Sequence, residues 1–464
     1  MAENKIMSVV TLPLKTEKWQ EDILQKRFEL CRKIYNNMLH YEMKQLNKVF
    51  HDKRYIDSKK IITETYKIAD DKEKRARKRT EEYKQAVKIS NEVLKEYGLT
   101  EYGFKNEVLK QRAVYKTNIS STVAYLSVAS PLWAAMDKYL FGNGKTLHYK
   151  KYNTLNSMAS DGKSGIRMVD KDGKAIFSRE SAMPIWINMS VPKGKTLIMP
   201  VIIDKKDLYK IEMMSRKLKV IRITRKLCGA KYKYYAQFTV EGRPAIRYDK
   251  DGNIKNPVGN GKVGIYIDTT SITLALENGD IKTISLQHDN TSNEKIAELQ
   301  RYMDNSRRAT NPDNYNADGT VKKGITIDGK KSKLRWNYSN GYNRARLELK
   351  NLYRVDAENR KLEKQILANK ILSYGDNFAI NDYPFQYAAM RKKMFNENTL
   401  QYEKHKKAGD KIGNNAPATL VVLLDSKLKA KVGAGVTKVQ LKDIDYSMEN
   451  YRERYAQKIL EYLQ

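Results

Sequence analysis

Residues 7–15, MSVVTLPLK, alternate apolar and polar side chains and predict a strand. From Glu17 the period changes. Phe28, Cys31, Ile34, Tyr35 and Met38 recur at three- and four-residue steps, which predicts a helix. Helical patterning continues to about Leu140, with interruptions expected near Gly98 and at Ser130–Pro131. Within it, the run DKEKRARKRTEEYKQ (71–85) reads as a mixed-charge helix face, either solvated or set against an RNA backbone. Residues 142–168 are irregular and basic. Strand signals return over about 185–241 in short alternating runs broken by Lys-Gly and Gly-Ala turns, as in a small β-barrel. The glycine-rich stretch DGNIKNPVGNG (251–261) reads as a linker. Beyond it the pattern predicts a strand pair over 262–280, a broken polar segment (304–332) and a long helix from about Asn340 to Ser373. A strand (377–382), a helical stretch, a last strand (436–444) and a terminal helix (450–463) follow. Alternating elements of this kind suit a mixed α/β layer fold. The whole reads as an α+β multidomain chain without internal repeats. Its parts are a first barrel strand (1–16), a helical region (17–184), the rest of the barrel (185–250), the linker (251–261) and an α/β domain (262–464).

Length and composition narrow the partners. The 464 residues suggest about three structural units at roughly 150 residues each. A hydrophobic content of 41% supplies real cores, so the chain is no disordered basic tail. Against 54 Asp and Glu stand 88 Lys and Arg, a net charge of +34. Such an excess repels itself and calls for a polyanion, with nucleic acid ahead of a membrane surface. No apolar run reaches the roughly 18 residues that a membrane-spanning helix needs. The opening MAENKIMSVVTLPLK is too short and mixed for a secretory signal. Cys31 and Cys228 lie far apart and form no metal-type pair, which is ordinary cytosolic usage, so the expected location is cytoplasmic.

Five stretches, taken in order, carry a resemblance that covers nearly the whole chain. HYKKYNTLNSMASDGKSGIR (148–167) is similar to the basic stretch closing the recognition region of the TnpB family of transposon-encoded RNA-guided nucleases and their miniature type V, subtype F CRISPR descendants. YKYYAQFTVEG (232–242) resembles the strand that closes that family's oligonucleotide-binding barrel. IDTTSITLAL (267–276) resembles its first catalytic strand. NRARLELKNLYRVDAENRKLEKQILANKIL (343–372) with NFAINDY resembles the helix and second catalytic strand. NAPATLVVLLDSKLKAKVGAGVTKVQLKDIDYS (415–447) resembles the helix and strand that follow. The resemblance implies a helical recognition domain, a small oligonucleotide-binding barrel (the wedge domain) and an RNase H-like domain of the RuvC type.

The departures from that family are specific. The resemblance places Asp268 at the first catalytic aspartate; a second register would place Tyr266 there, and the spacing to Ala275 favours Asp268. It places Asn381 where a glutamate is expected and Arg452 where a third carboxylate is expected, and no zinc ribbon follows Ser447. Two-metal cleavage needs converging carboxylates to hold two divalent ions against phosphate charge. An amide and a guanidinium do not do this, so a nuclease-dead member is expected, with no catalytic residues, no metal, no zinc and no need of magnesium. Arg452 could instead grip a phosphate or point to solvent. One rival is an active nuclease with a relocated site at Asp268, Asp382 and either Asp443 or Asp445, although Asp382 should face away from Asn381. Another is an RNA-binding module without a DNA target; a third is a decayed relic. Candidate backbone contacts are Lys150, Lys151, Arg335, Arg344 and Arg346, while Tyr234-Tyr235 and Trp336-Tyr338 could stack on unpaired bases. With five histidines, no Ser/His/Asp or Cys/His arrangement suggests other catalysis. The expected activity is guided DNA binding that controls transcription. Its expected partners are a guide RNA, double-stranded target DNA, RNA polymerase or a sigma-type factor, and a second copy of the chain on one guide.

Overall fold

In the computed structural model of the protein, the described residues are 6–141, 144, 146–177, 184–191, 194–288, 292–322, 324–327, 330–389, 392–396, 401–405, 409–441 and 444–463. They form two compact units, Met1–Lys226 with Tyr232–Ala245, and Leu227–Lys231 with Ile246–Gln464.

The first unit begins with β1 (Met7–Pro13), which buries every second side chain: Ser8, Val10 and Leu12. Helix α1 (Lys18–His51) opens on a capping box between Glu17 and Gln20. Its buried stripe contains Phe28, Cys31, Ile34, Tyr35 and Met38 and runs on through Leu46 and Val49. Helices α2 (Lys53–Lys67), α3 (Asp71–Arg77), α4 (Glu81–Glu96) and α5 (Glu101–Ala113) follow. The mixed-charge run 71–85 is therefore two helices rather than one. The chain breaks at 78–80, where the Thr80 hydroxyl caps the Tyr83 N–H at 3.3 Å. Pro131 interrupts nothing: α6 (Ser121–Ala124), a π-type turn (Tyr125–Ala129) and α7 (Ser130–Leu140) run together. The wider turn accommodates a proline that gives no N–H and would otherwise press on the carbonyl four residues back.

Strands β2 (Ser157–Ser160), β3 (Ile166–Val169), β4 (Trp186–Met189) and β5 (Leu197–Pro200), helix α8 (Leu208–Ser215), and strands β6 (Leu218–Cys228) and β7 (Lys231–Glu241) complete this region. Among the described residues they build two open sheets, β1-β7-β6-β2 and β3-β4-β5, linked by a bridge between Leu14 and Val201, and not a closed barrel. Strands β2 and β3 arise within a segment whose sequence reads as irregular. Each is four residues long and buries three of them, so neither shows the alternation that marks a half-exposed strand.

The second unit is one mixed sheet with helices on both faces. Strands β8 (Lys262–Ile267), β9 (Ser271–Leu276) and β10 (Ile281–Ser285) form an antiparallel meander. Helix α9 (Asn293–Thr310), the short hairpin β11 (Ile325–Ile327) and β12 (Lys330–Ser332), and the long helix α10 (Asn340–Leu372) lead to β13 (Asn377–Asn381), parallel to β8. Helix α11 (Phe385–Ala389), the hairpin β14 (Lys392–Asn396) and β15 (Gln401–His405), and helices α12 (Gly409–Asn415) and α13 (Pro417–Lys431) precede β16 (Thr437–Val439) and α14 (Tyr451–Glu461). The last strand is shorter than the 436–444 expected. Strand order is β10-β9-β8-β13-β16, with β16 parallel to β13.

One face of this sheet packs Ile265, Leu274 and Ile380 against Ala368 and Ile371 of α10 and Leu420 and Leu424 of α13. The other face receives α14. There, three small residues stand side by side across three strands: Ala275 and Ala379 are the register partners of Gly264. A Cβ at Gly264 would lie 2.3 Å from the Ala456 carbonyl oxygen, so only glycine lets α14 approach this closely.

Candidate functional site

Close approach of α14 brings the three positions singled out in the sequence together. Gly264, Tyr266 and Asp268 alternate onto the α14 face at the end of β8, and Asn381 ends the neighbouring β13. Asp268 uses both carboxylate oxygens. Its Oδ1 accepts from the Thr270 N–H at 2.7 Å, the Ser271 N–H at 2.8 Å and the Thr270 hydroxyl at 2.9 Å. Its Oδ2 accepts from Arg452 Nε at 2.8 Å. Arg452 therefore does not simply point to solvent: its Nε is committed to Asp268 while the side chain stays 38% exposed. Asn381 is equally committed. Its Oδ1 accepts from the Ile267 N–H at 2.7 Å and its Nδ2 donates to the Ile267 carbonyl at 3.0 Å. The amide thus continues the β8–β13 ladder beyond the last backbone pair, a task that needs one donor and one acceptor and that a carboxylate cannot perform.

Burial pushes the Asp268 carboxyl up, but the Thr270 N–H, the Arg452 guanidinium, the Ser271 N–H and the Thr270 hydroxyl together hold it below the usual carboxylate range. It stays ionised although Asp268 itself is only 8% exposed. A divalent ion does not fit this donor set. A guanidinium lies against the oxygen that would face the ion, and Asn381 turns its oxygen to the backbone. Among the described residues, no three His, Cys, Asp or Glu side chains come together to hold a metal. Of the relocated-site candidates, Asp382 bonds Lys438 Nζ at 3.0 Å, Asp445 bonds the Ser447 N–H and hydroxyl, and Asp443 lies outside the described residues.

The basic candidates separate into two places. In the first unit, the Lys150 backbone is pinned to α1 by Asn36 and Arg32, and its ammonium sits 4.6 Å over the Tyr35 ring. Lys151, next in the chain, is exposed, as are Tyr149 and Tyr152. In the second unit, Arg335 precedes α10 and Arg344 and Arg346 stand on its first turns, all exposed. Part of the positive charge is internal: Arg27 is 1% exposed and Arg225 2% exposed, the latter held between the Phe28 and Tyr232 rings. Tyr234 is core and Trp336 packs edge-on to Tyr315 beneath Arg307, whereas Tyr338 is exposed and stacked on Tyr342.

Sequence reasoning named Tyr266 only as an alternative register and missed the tyrosines packed around it. Tyr266 is buried against Tyr451 and Tyr455, and Tyr446 packs edge-on to Tyr451. Tyr266 and Asp268 share a face by simple alternation, which was the available signal; the α14 partners had none. It also missed His288, clamped by Asp356 at 2.8 Å and Glu363 at 2.7 Å on opposite ring nitrogens.

Among the described residues no helix is long and apolar enough to cross a membrane. No protein-family model and no curated protein matches the chain. Among solved structures, the chain is similar to one titled as a Cas12f1–sgRNA–target DNA complex, at 10% identity and a TM-score of 0.42, over 98% of this chain and 95% of that one. It is similar also to a CRISPR-Cas12f ternary complex, at 11% identity and a TM-score of 0.23, over 94% and 89% of the two chains. A third similarity is to a Cas12i1 R-loop complex after target cleavage, at 9% identity and a TM-score of 0.28, over 93% of this chain and 57% of that one.

Proposed function

We propose that this protein binds DNA under the direction of a guide RNA, does not cut it, and controls transcription at the site it occupies. The ion pair between Arg452 and Asp268 carries the reading. It occupies the place where metal-dependent cleavage would need converging carboxylates and free oxygens. The +34 charge supports a nucleic acid partner, and the five stretches resembling RNA-guided nucleases support a guide. Guide pairing supplies sequence choice while the protein reads a short duplex motif and holds the heteroduplex by its shape. A complex that does not cleave stays on its target, where it blocks RNA polymerase or recruits a sigma-type factor. Two copies share one guide, since a chain of this size is small to enclose a heteroduplex of about 20 base pairs alone.

The test uses the protein loaded with the RNA that co-purifies with it. A matched plasmid incubated with Mg²⁺ or Mn²⁺ should stay supercoiled, and chromatin capture should give guide-matched peaks with altered transcription. Metal-dependent linearisation that Asp268→Ala abolishes would overturn the reading. Binding that ignores the guide would reduce it to an RNA-binding module. A particle mass containing one 53.8 kDa chain would overturn the two-copy arrangement.

A further inference from the structure

Helix α10 turns one face into the second unit, where Asp356, Lys364, Ala368 and Ile371 are buried. Its opposite face carries an apolar stripe left in water. Leu352, Val355, Asn359, Leu362 and Ile366 follow one another at alternating steps of three and four residues, so they form a single seam. Val355, Leu362 and Ile366 are 36%, 56% and 59% exposed; Asn359 is exposed and Leu352 half-buried. One helix thus has two stripes, and the second serves no core of this chain.

The pattern states what fits it. Steps of three and four make the heptad of a coiled coil, in which the seam of one helix meets the seam of another. Leu352, Asn359 and Ile366 take the first core position of each heptad, and Val355 and Leu362 the second. An asparagine at a first core position pairs with the same residue of an identical parallel helix, since its amide offers one acceptor and two donors. Against an apolar residue of a different helix it would be buried unsatisfied. The five seam residues include no Lys or Arg to grip a phosphate. The carboxylates on its two borders, Glu358 and Glu363, are held by Arg354 and His288 at 2.7 Å each. Two copies can therefore approach without bringing bare like charges together.

We infer that the α10 seam pairs, parallel and in register, with the same seam of a second copy of the chain, with Asn359 bonded to its counterpart. The contact is isologous. The inference rests on the two-copy reading above and names the surface that joins the copies. From Leu352 to Ile366 the seam is about 21 Å long at a rise of about 1.5 Å per residue. A strip of that length and about 10 Å wide on each chain falls well short of the roughly 1,200 Å² that a stable complex buries. Free chains, each carrying +34, also repel one another. The pair therefore forms when one RNA binds both copies, neutralises their charge and raises their local concentration to about millimolar.

The test measures the mass of the full-length protein on its co-purifying RNA across a concentration series. Leu362→Asn should raise the concentration at which the second copy joins roughly 10- to 100-fold, with RNA binding by the first copy and the thermal midpoint unchanged. Asn359→Leu should do the reverse and let copies join without RNA. In a Cys228→Ser background, Asn359→Cys should form a disulfide between the two copies on the RNA, because parallel seams bring these positions within disulfide reach. Val422→Cys, exposed on α13 away from the seam, should not. Two-chain particles that ignore Leu362→Asn and form no such disulfide would overturn the seam and leave the two-copy reading standing. Particles with one chain at every concentration would overturn both. A photoreactive group at Ile366 that captured the RNA, or a different protein in cells, in place of the second copy would overturn the seam alone.

Discussion

Replacing Arg452 by Met removes the guanidinium and keeps most of the apolar stem, so it isolates the ion pair with Asp268. At a charge separation of about 4 Å the attraction is about 4 kcal/mol at an effective dielectric constant of about 20. The Arg452 side chain is 38% exposed and that of Asp268 is 11% exposed. Water therefore screens the pair, and lost hydration offsets much of the attraction, leaving a coupling of about 1–2 kcal/mol. Arg452→Met leaves Asp268 Oδ1 bonded to Thr270 and Ser271 but strips Oδ2 of its donor, a loss of about 2 kcal/mol. Asp268→Asn presents an amide to the guanidinium and should cost about as much. The double variant should lose less than the sum by the coupling energy. Equilibrium urea unfolding reads these values, followed by Trp336 fluorescence in a background with Trp19, Trp133 and Trp186 changed to Phe. High salt should shrink the coupling. The folded state holds Asp268 below its ordinary range. The contribution is thus complete above the usual carboxylate titration and is lost as pH falls through the folded value, while Arg452 stays charged. A cycle that closes to within about 0.3 kcal/mol at neutral pH and low salt would refute the pairing and return Arg452 to solvent.

Three further outcomes are expected. Gly264→Ala places a methyl group against the Ala456 carbonyl and should destabilise the second unit by about 2–4 kcal/mol, with the Arg452–Asp268 coupling reduced in the same urea measurement. Glu42, 1% exposed and pushed up to about 8 by burial and then by Glu107, binds its proton more tightly folded than unfolded; stability should fall by up to about 1.4 kcal/mol per pH unit from about pH 4.5 to about pH 8, and Glu42→Gln should remove that slope in thermal melts. Burial lowers the His288 titration, but hydrogen bonds to Asp356 and Glu363 raise it further, so it lies above the ordinary value. The clamp should hold below about pH 6.5 and weaken as pH rises through the folded value; amide exchange of residues 286–288 should rise with it beyond the intrinsic base catalysis, and His288→Asn should expose the segment at all pH values.

The chain by itself determined the long elements and the sign of the partner. The stripe from Phe28 to Met38 repeats at helical spacing, and α10 runs long enough for its limits to be read to within a residue. The excess of cations needs no structure to read. The sequence also singled out Asp268, Asn381 and Arg452, because resemblance aligns positions along the chain. It left their relation open. Arg452 and Asp268 are 184 residues apart, and whether they touch depends on how closely α14 lies on the sheet. That distance is set by Ala275, Gly264 and Ala379, which become neighbours only once three strands are in register. Strands β2 and β3 were hard to see for the opposite reason: four residues each, three of them buried, give too few positions for a period. The clamp on His288 and the packing of Tyr266 against Tyr451 and Tyr455 were likewise settled by elements that meet in space. Local periodicity is a property of neighbouring residues and survives in one dimension; the chemistry of a site depends on distances between segments, and only packing fixes those.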